Sequence, residues 1–105
     1  MINKIYTLDE IKDISIPIFK RYSTVQCAYL FGSYARKEAT SKSDLDFMIQ
    51  LVDDEIETLK DELRVENDLS EAFHKRVDVI TNDEVYRVMP KAFERDKILI
   101  YTQLC

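Results

Sequence analysis

"FGSYARKEATSKSDLDFMI", residues 31–49, is the stretch on which the reading of this chain turns. It holds the one glycine among 105 residues, Gly32, a serine directly after it, and Asp44 and Asp46 one residue apart at the start of an apolar run. Just upstream, "VQCAYLF" (25–31) is rich in β-formers and predicts a strand that runs into a turn at Gly32. Just downstream, "LDFMIQLV" (45–52) is almost continuously apolar and predicts a second, central strand. Side chains alternate between the faces of a strand, so Asp44 and Asp46 point the same way at the mouth of that strand.

Outward from this stretch, strands and helices alternate. Thr7 and Glu10 have capping-box spacing, and Leu8, Ile11, Ile14, Ile18 and Phe19 recur at helical intervals, which predicts a helix over 8–22. Pro17 is expected to kink or divide it. The acidic residues 53–57 open a long helix to about residue 74, with Ile56, Leu59, Leu63, Leu69, Ala72 and Phe73 assigned to its buried side. "RVDVI" (76–80) predicts a third strand, Thr81 or Asn82 a cap for a last helix over 83–95, and "KILIYT" (97–102) an edge strand. The class is α+β with α/β-type alternation, helices packing on one sheet. With no linker-like or low-complexity tract, residues 1–105 are expected to form one domain.

The bulk numbers exclude some functions. Fifteen basic against twenty acidic residues leave a net charge of −5, unsuited to direct binding of nucleic acid through clustered cations. Cys27 and Cys105 show neither a disulfide framework nor zinc spacing and are read as reduced thiols. No apolar run is long enough to span a membrane, so a soluble, cytoplasmic protein is expected.

The chemistry resides in the carboxylates. Two ionised groups as near as Asp44 and Asp46 repel unless a cation or proton intervenes. Hard oxygen ligands of this kind suit Mg²⁺ held together with substrate phosphates. Asp78, isolated between Val77 and Val79, supplies a third carboxylate if its strand pairs with the second; such a set can serve two divalent ions in an in-line phosphoryl or nucleotidyl displacement. Gly32 tolerates positive φ and a close backbone approach, and Ser33 offers its N–H and hydroxyl to phosphate oxygens. Arg36, one helical turn on, adds a charge-assisted contact, and Ser43 next to Asp44 is grouped with these nucleotide-binding residues. His74 reads as solvent-exposed, and Lys37, Lys42 and Lys75 as ordinary surface lysines. Tyr34 either packs on the sheet or stacks on a base.

Gly32-Ser33, ten intervening residues, Asp44-x-Asp46 and a later strand bearing Asp78 together resemble the nucleotidyltransferase superfamily that includes DNA polymerase beta and kanamycin nucleotidyltransferase. The short length and the form "LFGSYAR…SDLDF" most resemble the minimal nucleotidyltransferases, MNT antitoxins encoded beside HEPN toxins. The resemblance covers about residues 8–101. It implies a mixed sheet with helices on one face, Mg²⁺ held by Asp44, Asp46 and Asp78 as the catalytic carboxylates, and the triphosphate of ATP held at Gly32 and Ser33. It further implies transfer of AMP from ATP to a tyrosine hydroxyl of a HEPN ribonuclease toxin, which silences the toxin. One position departs from the pattern: relatives carry glycine after the arginine, where this chain has Lys37. Two other functions use the same fold, a non-catalytic antitoxin acting by occlusion and a nucleotidyltransferase for small molecules such as antibiotics. The short chain disfavours the second, which needs further sequence to bind its acceptor.

Overall fold

The computed structural model describes residues 4–52 and 55–103, with side chains left out over 55–58. The elements are α1 (Leu8–Lys20), β1 (Val25–Phe31), α2 (Gly32–Ala35), β2 (Leu45–Leu51), α3 (Glu55–Phe73), β3 (Val77–Thr81), α4 (Asn82–Val88), α5 (Pro90–Asp96) and β4 (Ile98–Thr102). The strands form one mixed sheet in the order β3-β2-β1-β4. β1 runs antiparallel to β2 and β4, while β2 and β3 are parallel, so the connection between them must cross over, and α3 is that crossover. As expected, β2 is central and β4 lies at an edge.

The period of two sorts the sheet into faces. Ala28, Leu30, Leu45, Phe47, Ile49 and Val77 lie in the main core with residues of α1 and α3, the two long helices, and the expected packing of helices on one face holds for these two only. The opposite face is covered in part by α4 and α5, whose Val85 and Phe93 pack with Phe31 and Met48. What lies beside that smaller cluster, at the start of β2 and β3, is the carboxylate group.

Local chemistry explains most boundaries. Thr7 and Glu10 make both bonds of the capping box. Of the two effects expected of Pro17, division does not occur, since α1 is continuous through it; Pro17 and Asp13 are exposed, so the carbonyl that loses its partner reaches water. The predicted last helix over 83–95 is two short helices, because Met89 leaves helical geometry (φ −146, ψ 55) and Pro90, which cannot donate in a helix interior, starts a new one.

The buried stripe of α3 also differs from the expectation. Val65, Leu69 and Phe73 are buried, but Leu59 and Leu63 are 65% and 63% exposed. Stepping back by four from Leu69 gives Val65 and Asp61, and Asp61 is buried where Thr24 Oγ1 donates to it at 2.6 Å. That hydrogen bond lets a carboxylate share the inner stripe and turns both leucines outward. Tyr22 ties α1 to the same helix, donating to Asp68 Oδ2 at 2.5 Å. The predicted acidic start at 53–57, with the buried position given to Ile56, and the thiol of Cys105 lie outside the described residues or side chains. Among the described residues no helix is long and apolar enough to cross a membrane.

Candidate active site

Phe31, the last residue of β1, pairs with Asp46 of β2, so the chain leaves β1 directly beside that carboxylate. Gly32 then turns with φ +76. A methyl group built on it would lie 2.3 Å from Asp46 Oδ2 and 3.1 Å from Cγ. The lone glycine is therefore required twice, by its left-handed backbone and by the carboxylate that occupies the space of a side chain.

The single turn of α2 is closed by Glu38 N–H donating to the Ser33 carbonyl at 2.9 Å and Lys37 N–H to the Tyr34 carbonyl at 3.3 Å. This is a Schellman closure, which places Lys37 at the position that favours glycine. Lys37 has φ 61. The departure at this position thus keeps the turn and retains the strain that glycine would relieve.

The parallel register sets Leu45 against Val77 and Asp46 against Asp78. Asp46 and Asp78 thereby sit side by side on the sheet face opposite the long helices, with Asp44 one step before β2. Burial first, and then the negative charges of Asp78 and Asp44, push the Asp46 carboxyl from the ordinary 3.8 up to about 6. Arg36 and Arg76 oppose this shift. Arg76 bridges the other two carboxylates, its Nε lying 3.2 Å from Asp78 Oδ1 and 3.7 Å from Asp44 Oδ2.

As they stand, no three metal-ligating side chains among the described residues close around one point. The donor set nonetheless suits a hard divalent ion: carboxylate oxygens from paired strands, one of them half-buried with its proton affinity raised by burial and by its two carboxylate neighbours.

The remaining predicted residues are placed as follows. Ser33 is half-buried, and among the described residues its hydroxyl has no hydrogen-bond partner. Arg36 is committed elsewhere: Nη1 donates to Asp96 Oδ2 at 2.6 Å and Nε to Glu38 Oε2 at 3.1 Å. The Asp96 side chain is only 2% exposed, and Arg95 and Arg36 hold its carboxyl below the usual range, so this pair joins α2 to the end of α5. Ser43 folds its own loop, its Oγ accepting from Thr40 N–H at 2.9 Å. Tyr34 packs in the core, and Lys75, read as a surface lysine, donates to its hydroxyl at 3.0 Å. His74 is exposed, and its φ of 54 ends α3. Arg76 and Asp96 are the residues that sequence reasoning missed. The signal for Arg76 was present, since a residue two before Asp78 shares its face of the strand.

A groove of about 440 Å³ along the β3 edge, lined by Leu63, Glu66, Asn67 and Ser70, runs to Arg76 and Asp78. A second cleft of about 430 Å³, between the start of α1 and α2, contains none of the three aspartates. Of these two, the first adjoins the carboxylates.

A glycine-serine turn set against paired aspartates, with a third aspartate on the neighbouring parallel strand, is the arrangement that the nucleotidyltransferase resemblance calls for. The family model for polymerase beta nucleotidyltransferases matches residues 13–103, and the chain belongs to that family. A relative from Methanocaldococcus jannaschii, named as a candidate protein adenylyltransferase, is 35% identical over 92 residues, covering 88% of this chain and 90% of its own. Two solved structures share the fold. A toxin–antitoxin complex with AMP-PNP is similar with TM-score 0.71 and 20% identity, over 89% of this chain and 74% of that one. The complex of a tri-AMPylated Shewanella oneidensis HEPN toxin with its MNT antitoxin is similar with TM-score 0.64 and 19% identity, over 89% and 71%.

Proposed function

We propose that this chain is a Mg²⁺-dependent protein adenylyltransferase of the MNT antitoxin type, which transfers AMP from ATP to a tyrosine hydroxyl of a HEPN toxin and so neutralises it. The observation that carries the reading is the register of β2 on β3, which sets Asp46 against Asp78 while Gly32 packs on Asp46. Kinship with chains named as protein adenylyltransferases supports protein as the acceptor, and likeness in fold to an antitoxin bound to an AMPylated HEPN toxin supports the partner.

Asp44, Asp46 and Asp78 would hold the metal, and Gly32 and Ser33 the triphosphate. Bound Mg²⁺ supplies charge neutralisation for the attacking and leaving oxygens of the displacement. The acceptor oxygen attacks the α-phosphorus, the bond from that phosphorus to the oxygen bridging to the β-phosphate breaks, and diphosphate leaves. Asp78, at the groove side of the cluster, takes the hydroxyl proton on a carboxylate oxygen. The Ser33 N–H and hydroxyl orient the β- and γ-phosphates at the turn. Arg36 holds α5 against α2 and, with Ser43 ordering the loop before Asp44, keeps the turn and the aspartates in register.

The test is transfer of label from α-³²P-ATP to a folded, bound HEPN partner. Label on a toxin tyrosine, lost in Asp44→Asn and Asp46→Asn, supports the proposal. Neutralisation that persists in both variants without label transfer would assign occlusion instead.

A further inference from the structure

Three carboxylates gathered on one sheet face need balancing charge before any metal arrives, and Arg76 provides it. Its placement follows from the fold: Leu45 N–H donates to the Arg76 carbonyl at 3.3 Å, and the β2–β3 register brings Arg76 beside Asp44. It precedes Asp78 by two, so both side chains leave on the same face. The guanidinium then spans Asp44 and Asp78. Its side chain is 74% exposed, with open solvent and the β3-edge groove beside it. Arg36, by contrast, is anchored to a carboxylate with 2% exposure. Of the two arginines near the cluster, Arg76 is the one free to leave.

We propose that Arg76 is a displaceable stand-in for the divalent cation. It bridges Asp44 and Asp78 while the site holds no metal, and it withdraws toward the β3-edge groove before those carboxylates close on one ion. The inference rests on the reading of Asp44, Asp46 and Asp78 as metal ligands. Two consequences follow. The metal-free face is spared like-charge repulsion, and a bare divalent ion must compete with a resident charge, so loading favours an ion that arrives with the triphosphate. Arg76 is thus a positioning residue that acts through the aspartates.

The test needs no turnover. Calorimetric titration with Mn²⁺ alone is compared for the wild type, Arg76→Ala, Arg76→Gln and Asp46→Asn, with thermal unfolding of each in chelator. Both Arg76 variants are expected to bind Mn²⁺ about fivefold more tightly, the size set by two exposed ion pairs. In chelator both should melt below the wild type, and added Mn²⁺ should raise their melting temperatures further than it raises that of the wild type. Arg76→Gln keeps the side-chain stem as far as Cδ while removing the charge, should the alanine variant fold poorly. Equal or weaker Mn²⁺ binding in both variants, with wild-type binding abolished by Asp46→Asn, would overturn the role of Arg76 alone. An absence of Mn²⁺ binding in every protein would overturn the metal reading together with this inference.

Discussion

Gly32→Ala separates the demand of the backbone from that of the site. At φ +76 a non-glycine residue costs roughly 1–2 kcal/mol, offset by about 0.4–1 kcal/mol because alanine restricts the unfolded chain more than glycine does. The new methyl would also meet Asp46 Oδ2 at 2.3 Å and force that side chain from its rotamer, for about another 0.5–1.5 kcal/mol. The expected loss is about 1–3 kcal/mol, or on the order of 5–15 °C in melting temperature for a chain of this size. The carboxylate yields because it is a side-chain end, so the larger effect falls on activity: a displacement near 1 Å costs on the order of a hundredfold in AMP transfer. Differential scanning calorimetry of a double-mutant cycle with Asp46→Ala isolates the contact. Removing the carboxylate leaves only the Asp46 Cβ, 3.4 Å from the new methyl, so Gly32→Ala should cost about 1 kcal/mol less in that background. Costs that add to within about 0.3 kcal/mol would refute a direct Gly32–Asp46 contact.

Lys37→Gly is expected to stabilise the chain by about 0.5–1 kcal/mol, since it relieves φ 61 at a Schellman position while enlarging unfolded-state freedom. Chemical denaturation at constant m-value measures this, and a destabilised variant would show that the Lys37 side chain contributes more than the strain costs. Asp46 should make stability without metal depend on pH. Its carboxyl titrates near 6 in the folded chain against an ordinary 3.8, so the folded state binds the proton more tightly. That contribution is fully present below about pH 4 and is lost as pH rises through about 6. The loss is on the order of 1–2 kcal/mol, reduced because the carboxylate is partly exposed. In chelator Asp46→Asn should flatten this slope, and Mg²⁺ should stabilise the wild type more at pH 7.5 than at pH 5. Identical pH profiles for wild type and variant would remove Asp46 as the source.

The parts of the fold that were legible in the sequence are those whose physics is local. The capping box at Thr7 and Glu10, the turn at Gly32 and the shared face of Asp44 and Asp46 depend on residues within a few positions of one another. Asp78 was legible as an anomaly, a lone carboxylate among valines, but its placement against Asp46 depends on the parallel crossover through α3. Leu59 and Leu63 were misassigned because α3 has two apolar stripes, and the choice between them rests on a hydrogen bond from Thr24 to Asp61, 37 positions away. The break at Pro90 was readable and passed over: proline in a helical pattern stops one helix or starts another, whereas Pro17, exposed beside an exposed Asp13, is tolerated within α1.

The two arginines show why nearness in sequence ranks site cations poorly. Arg36 stands one turn after Ser33, which suggests a phosphate contact, but its strongest partner is Asp96, 60 positions downstream and buried at the end of α5. Releasing Arg36 to a phosphate would leave Asp96 with Arg95 alone against the cost of burial. Arg76 lies thirty residues or more from the aspartate pair, yet strand pairing brings it between two of the three carboxylates, where it is held only by exposed contacts. The charge that must move when a cation arrives is the one with least to lose, and by exposure and partners that charge is Arg76.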